Sequence, residues 1–303
     1  MPNQGQEKNI RSGFVTVIGR PNAGKSTLLN HLLGQKLLIM SDKPQTTRNR
    51  IQCILTEERG QIIFLDTPGI HKPKHKLGEY MVGTAKDTLN EVDMILYMVD
   101  ASAELGGGEE YILEMLRHTS TPCVLALNKI DLINKETLVG VIRQYSQLGN
   151  FQAIIPISAK TGENSEELLK VLFSALPVGP LYYPVDEVTD QPERFIMAEL
   201  IREKVLQLTR EEIPHSLAVV IEEVAEKSSL VKVRALIMVE RDSQKGIIIG
   251  QGGKMLKEVG RLARIDIENL LGSKVFLELW VKVKKDWRNR QDALRQLGYK
   301  EER

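Results

Sequence analysis

The octapeptide GRPNAGKS, Gly19–Ser26, constrains the fold more than any other stretch of this 303-residue chain. It follows the apolar run GFVTVIG and opens the helix-forming KSTLLNHLL, the strand–loop–helix setting in which G-x4-G-K-S wraps a phosphate chain. Glycines let the backbone turn its N–H groups onto anionic oxygens, and the helix that follows adds the positive end of its dipole. Lys25 is then placed to reach β- and γ-phosphates and Ser26 to bind magnesium. Gly19, Arg20, Pro21, Asn22, Ala23, Gly24 and Thr27 complete the loop. Such a loop needs a buried, mostly parallel sheet behind it.

Five runs supply that sheet: GFVTVIG, QIIFLDTPG, DMILYMVDA, CVLALNKID and AIIPISA. Each is continuously apolar rather than alternating, as befits strands covered on both faces. Helical stretches accompany most of them, for example Lys25–Leu33, Gly107–Arg117 and, after the last run, Ser165–Leu176. In NRIQCILTEERGQIIFLD, strand-like runs flank Glu58-Arg59-Gly60, so a hairpin adds an antiparallel edge strand. The expectation is an α/β domain with a six-stranded, mostly parallel sheet over residues 1–178. PVGPLYYPVDEVTDQP, with four prolines and no apolar period, reads as a linker at 179–192. Residues 193–303 then form a second, α+β domain of order α-β-β-α-α-β plus a helical tail. Its elements are the amphipathic helix ERFIMAELIREKVLQLT, strands SLAVVIEEV and LVKVRALIMVE, and two helical pieces around the glycine turn of GIIIGQGG. A third strand, KVFLELWVKVKKDW, and a last helix through RQDALRQLGY complete it.

Composition excludes several classes. With 42% hydrophobic and 27% charged residues the chain is neither disordered nor a membrane-spanning protein, and no apolar run is long enough to cross a bilayer. Cys53 and Cys123 both lie in strand-like runs and are expected as buried, reduced thiols. The N-terminus MPNQGQEKNIRSG has no signal-peptide core, so a cytoplasmic location is expected. Residues 245–303 carry 14 basic and 8 acidic side chains, which favours a polyanionic partner for that end.

Two further motifs sharpen the chemistry. DTPG, Asp66–Gly69, ends the next inner strand. Asp66 is expected to hold magnesium, and the Gly69 N–H to sense the γ-phosphate, with Thr67 and Pro68 shaping the turn. In NKID, the Asp131 carboxylate can accept two hydrogen bonds from the N1–H and 2-amino group of guanine. Adenine lacks that donor pair and would leave the carboxylate unpaired. Lys129 can lay its stem along the base, and Asn128 can tie this loop to the phosphate loop. SAK, Ser158–Lys160, closes the far side, with the Ala159 N–H offered to the guanine O6. The nucleotide expected is GTP or GDP.

On GRPNAGKS, PQTTRNR, DTPG, NKID and SAK the sequence resembles the translation-factor-related class of GTPases and, within it, the Era-like family. The resemblance covers essentially the whole chain. It implies that PQTTRNR, Pro44–Arg50, is the first switch, with Thr46 or Thr47, of which Thr47 is favoured, joining Ser26 and Asp66 on magnesium. It implies that Ile70 occupies the place where many GTPases carry a water-orienting glutamine. Asn22 stands where related enzymes hold a potassium ion, so the charge would come from a cation and the water would be held by backbone groups of the first switch. Lys25, Asn22, Thr47 and Gly69 are the catalytic set on this reading. The resemblance also makes the second domain a type II KH domain, whose turn Ile249-Gly250-Gln251-Gly252-Gly253-Lys254 would bind RNA. The implied ligand is the 3′ end of 16S ribosomal RNA, and the implied role is assembly of the 30S subunit by a slow, monomeric GTPase. Alternatives are a nucleotide-gated RNA scaffold, or a regulator held peripherally at the inner face of the cell membrane through HKPKHK.

One pattern stays open. In ELWVKVKKDWRNR, alternation puts Phe276, Glu278, Trp280, Lys282 and Lys284 on one face, either a stacking surface for nucleic acid or an ordinary solvated strand. His71 and His75 are expected in an exposed switch rather than at a metal.

Overall fold

The computed structural model describes residues 10–41, 43, 46–68, 76–209, 213–227, 230–297 and 299. The chain divides into two compact units. The first comprises 10–36, 49–68 and 83–190 of these residues. The second comprises the remainder of 37–48, of 76–82 and of 191–299.

The first unit is built on β1 (Arg11–Gly19), β2 (Ile51–Glu57), β3 (Gly60–Asp66), β4 (Met94–Asp100), β5 (Cys123–Asn128) and β6 (Ala153–Pro156). Their order in the sheet is β2-β3-β1-β4-β5-β6. Only β2 runs antiparallel, paired with β3 through the hairpin at Glu58-Arg59. The helices are α1 (Lys25–Leu33), the latter part of α2 (Lys76–Asp87), α3 (Gly107–Arg117), α4 (Lys135–Leu148) and α5 (Ser165–Ala175). Because β1 and β3–β5 are buried along nearly their whole length, both sheet faces are covered and the strand sequences need no polar alternation. One core layer sets Tyr97, Ile95, Leu125 and Leu127 of the sheet against Ile112 and Leu113 of α3 and Tyr145 of α4. Cys53 and Cys123 are free and buried, and burial pushes the Cys123 thiol up to about 12. The parallel strands end near one another at Gly19, Asp66, Asp100 and Asn128, which brings the phosphate loop, the start of DTPG and NKID to one edge of the sheet.

The proline-rich stretch is tethered along much of its length. The Gln61 side chain accepts from Tyr182 N (2.8 Å) and Tyr183 N (2.9 Å) and donates to Tyr183 O (3.0 Å). Ile54 N donates to Val188 O, and Thr189 Oγ1 to Gln52 O. Residues up to Asp190 therefore pack along β2 and β3 within the first unit.

The second unit contains α6 (Glu193–Leu208), α7 (Ile213–Ser216), β7 (Ala218–Lys227), β8 (Leu230–Val239), α8 (Asp242–Ile249), α9 (Lys254–Leu271), β9 (Lys274–Val283) and α10 (Gln291–Gln296). Its sheet has the order β7-β8-β9, with β7 antiparallel and β9 parallel to β8. Val233, Ala235 and Ile237 of β8 are fully buried on the face covered by helices, while Lys232, Arg234 and Leu236 alternate onto the other. At one end of that second face, Trp287, Ala293, Leu294 and Tyr299 join Leu77 and Met81 of α2 over Ala218 and Met238.

Helix α6 departs from the amphipathic expectation. Almost every residue from Ile196 to Leu206 is buried, including Arg202, Glu203 and Lys204. The reason is segment 37–48, which belongs to this unit. Met40 N donates to Glu203 Oε1 at 2.8 Å, and Arg202 Nη2 donates to Thr46 O. Lys204 bridges Glu203 (2.8 Å) and Asp266 of α9 (2.6 Å), so each buried charge on this side of the helix has a counter-charge. Arg48 is buried as well, donating to Leu217 O (2.5 Å) and Tyr299 OH (3.3 Å) with its guanidinium 5.9 Å from the Trp287 ring centre.

Candidate nucleotide site and RNA groove

The phosphate loop leaves β1 at Gly19 and enters α1 at Lys25. Gly24 closes it at φ 99°, and a Cβ there would stand 2.1 Å from the Asn128 side-chain nitrogen. Only glycine permits that approach. Asn22 takes the left-handed conformation (φ 66°), which asparagine tolerates better than most residues, and its side chain is exposed. Lys25 is buried and its ammonium is held by the carbonyls of Gly19 and Arg20, each at 3.2 Å. Burial lowers its pKa, while the Asp66 carboxylate works in the opposite direction. Arg20 is turned to α3, where Nη1 meets Glu109 Oε2 at 2.7 Å.

Ser26 Oγ lies 3.5 Å from Asp66 Oδ2. A hydroxyl beside a carboxylate is a hard-oxygen donor pair suited to magnesium, which takes few protein ligands and keeps several waters. Thr67 fixes the start of the DTPG turn by donating to Val17 O (2.9 Å), and Pro68 is buried. Gly69, Ile70, His71 and His75, like Pro44 and Gln45 of the first switch, lie outside the described residues. Thr47 is described, and it is buried in a segment that groups with the second unit. Thr46 Oγ1 donates to Lys43 O (2.6 Å).

The base-recognition loops are cross-braced by one buried side chain. Asn128 Nδ2 donates to Ala23 O at 2.7 Å, and Asn128 Oδ1 accepts from Ala159 N at 2.8 Å. The phosphate loop, NKID and SAK thus share a hub. The Ala159 N–H, expected at guanine O6, donates to Asn128 Oδ1 within the protein. Asp131 is exposed and accepts from Ser158 Oγ (2.7 Å) on one oxygen. Lys129, at φ 67°, sets its ammonium 2.5 Å from Asp100 Oδ2. Asp100 also accepts from Ser102 N (3.0 Å) and Ser102 Oγ (2.6 Å). Burial tends to raise the Asp100 pKa, but the hydrogen bonds from Lys129 and Ser102 outweigh it and hold the carboxyl below its usual value. Lys160 is exposed, and Thr27 is partly buried in the first turn of α1. Sequence reasoning does not single out Asp100 or Glu109; their only signals are their positions at a strand end and a helix start.

In the second unit, Ile249 ends α8 and Gly250 (φ 70°) begins the turn. A Cβ on Gly250 would lie 2.9 Å from Met255 N, so the turn is closed there by backbone. Gly252 and Gly253, also at positive φ, would present a Cβ to no protein atom within 4 Å. Space beside them is therefore open to another chain's backbone. Gln251 and Lys254 are exposed at the same turn. Gly253 and Lys254 open onto a groove of about 650 Å³ between α9 and β9, with Lys257, Arg261, Arg264 and Phe276 among its lining. The α9 cations escape a reading of the sequence because they look like the solvated face of a helix.

The comparisons with known proteins agree with this geometry. Residues 14–129 match the family model described as 50S ribosome-binding GTPase, and residues 212–288 match the KH domain model. The chain is 60% identical over 296 residues to GTPase Era of Heliobacterium modesticaldum, covering 97% of this chain and 99% of the relative. It is 58% identical over 293 residues to GTPase Era of Staphylococcus haemolyticus, covering 96% and 98%. Among solved structures it is similar to a point variant of Aquifex aeolicus Era bound to GDP and AlF4−, with TM-score 0.92, 42% identity and coverage of 96% and 99%. It is equally similar to Era in complex with MgGDPNP and nucleotides 1506–1542 of 16S ribosomal RNA, with TM-score 0.93 and the same identity and coverage. The chain belongs to the Era family of GTPases.

Proposed function

We propose that the chain is a GTP-hydrolysing switch that binds 16S ribosomal RNA near its 3′ end and assists assembly of the 30S subunit. The observation that carries the nucleotide half is the Asn128 hub, which gathers the phosphate, base and SAK loops at one sheet edge. The RNA half is supported by the open glycine turn beside a cation-lined groove, and by the 16S fragment bound by the Era relative. On this reading residues 1–178 are the GTPase domain and 193–303 the KH domain, joined through 179–192.

Hydrolysis is transfer of the γ-phosphoryl group to water, and positioning and charge do most of the work. Lys25 and the phosphate-loop N–H groups hold the β- and γ-oxygens, and Asp131 accepts from the guanine edge. Ser26, Asp66 and Thr47 are the residues that would hold magnesium, which supplies charge neutralisation between the β- and γ-phosphates. Asn22 would bind potassium beside the phosphates, the Gly69 N–H would sense the γ-phosphate, and backbone groups of the first switch would hold the water in place of the glutamine absent at Ile70. The protein acts as a monomer in the cytoplasm; a peripheral membrane role resting on HKPKHK is the alternative that vesicle flotation tests.

Single-turnover GTP hydrolysis by the full chain in potassium against sodium tests the mechanism. Faster turnover in potassium is expected, and equal rates overturn the cation assignment. Direct binding of RNA nucleotides 1506–1542 tests the partner, and failure to bind overturns the ribosomal reading.

A further inference from the structure

We propose that the open face of β9 is a second RNA-contact surface, on which Phe276 and Trp280 stack bases of a single strand continuing out of the groove beside α9. The proposal rests on the RNA-binding reading of that groove and extends it to a face that the glycine turn does not reach.

Phe276 and Trp280 are 54% and 56% exposed, whereas their alternating neighbours Val275, Leu277, Leu279 and Val281 turn toward the helices. Four residues of extended chain separate the two rings by about 13 Å, so each would take a different base. Phe276 also lines the groove that holds Lys254, Lys257 and Arg264, which makes the groove and the face continuous. A strand leaving the groove meets this ring first.

Charge on the face is arranged to accept a polyanion. The one carboxylate between the rings, Glu278, is met by Arg234 at 3.3 Å and Lys232 at 3.7 Å from the neighbouring strand. Trp280 Nε1 donates to Glu278 Oε1 at 3.3 Å, which fixes the indole plane. Lys274 and Lys282 stand exposed at either end of the ring pair, where phosphates would run. Rings separated by an ion cluster do not make a contiguous apolar patch of the kind a folded protein partner would cover. Aromatic faces alternating with cations are instead the arrangement that binds single strands without reading their sequence.

The test uses the full chain and 16S nucleotides 1506–1542, with versions shortened from either end to about four nucleotides, the length a KH groove holds. Trp280→Ala is expected to weaken the long fragment about tenfold and leave the shortest bound fragment unchanged, whereas Phe276→Ala, whose ring also lines the groove, should weaken both. Trp280→Phe, which keeps a stacking ring, should restore most of the loss. Gly252→Asp, aimed at the groove, should weaken both fragments. The chain has two tryptophans, and Trp287 is fully buried, so iodide quenching reports on Trp280; the long RNA should protect it and the short RNA should not. If the parent binds and Gly252→Asp fails but Trp280→Ala binds the long fragment like the parent, the second surface is overturned alone. If the parent binds neither RNA, the groove reading falls with it. A Trp280→Ala defect seen only on anionic phospholipid vesicles assigns the face to a membrane and overturns the proposal.

Discussion

Replacing Arg48 by methionine should release segment 37–48 from the second unit while leaving the fold of both units in place. The guanidinium is buried, donates to Leu217 O at 2.5 Å and to Tyr299 OH at 3.3 Å, and lies 5.9 Å from the Trp287 ring centre. Leaving the carbonyl and the hydroxyl without this donor costs about 1–3 kcal/mol each. Loss of the desolvated cation–ring contact adds about 2 kcal/mol. Against this, methionine recovers the desolvation penalty of the guanidinium, which is several kcal/mol. Burial does lower the Arg48 pKa, in keeping with that penalty. The net loosening is about 2–4 kcal/mol, which by the local-opening relation speeds amide exchange in the segment about 30- to 1,000-fold. Hydrogen–deuterium exchange read by mass spectrometry on peptides covering Leu37–Arg48 measures this directly. Strands β4 and β5 should exchange as in the parent. Unchanged exchange in 37–48 would refute the claim that Arg48 anchors it, and uniform acceleration across the chain would show that the damage is global.

Three further outcomes are expected. The stability advantage of the parent over Asp100→Asn, read by urea unfolding, should stay flat from neutral pH downward until the Asp100 carboxyl protonates. Its folded pKa lies below the unfolded value, so the contribution is present above the unfolded pKa and lost as pH falls through the folded one. Asp100→Asn should weaken GDP and GTP about equally without changing single-turnover rate, and a rate loss at unchanged affinity contradicts a positioning role. Gly250→Ala forces an L-residue to φ 70° and its Cβ to within 2.9 Å of Met255 N, so RNA binding should fall while GTP hydrolysis without RNA stays at the parental level.

Much of the fold is legible in the sequence because it is local. Continuous apolar runs mark the buried strands, and the Glu58-Arg59-Gly60 turn marks the one antiparallel pair of the first sheet. The phosphate loop, NKID and SAK are each readable alone, and strand ends in register bring them together. What stays hidden depends on distant partners. Nothing near Arg48 in the chain announces Leu217, Trp287 or Tyr299, so the membership of 37–48 in the second unit cannot be read. The same holds for Leu77 and Met81 of α2, whose packing partners run from Ala218 to Tyr299. Helix α6 looks amphipathic because its buried Arg202, Glu203 and Lys204 are polar letters, and only their ion pairs and the covering segment explain them. The hydrogen bond from the Ala159 N–H to Asn128 Oδ1 likewise joins two loops that the sequence does not show to be in contact.

Because the segment carrying Thr47 packs on the same unit as the RNA groove, nucleotide state and RNA affinity should be linked. The measurement that tests this most directly is the affinity of the full chain for 16S nucleotides 1506–1542 when loaded with magnesium and a non-hydrolysable GTP analogue, against magnesium and GDP. A switch predicts tighter binding with the analogue by about fivefold or more, the scale of ordinary allosteric coupling. Equal affinity in the two states would contradict it.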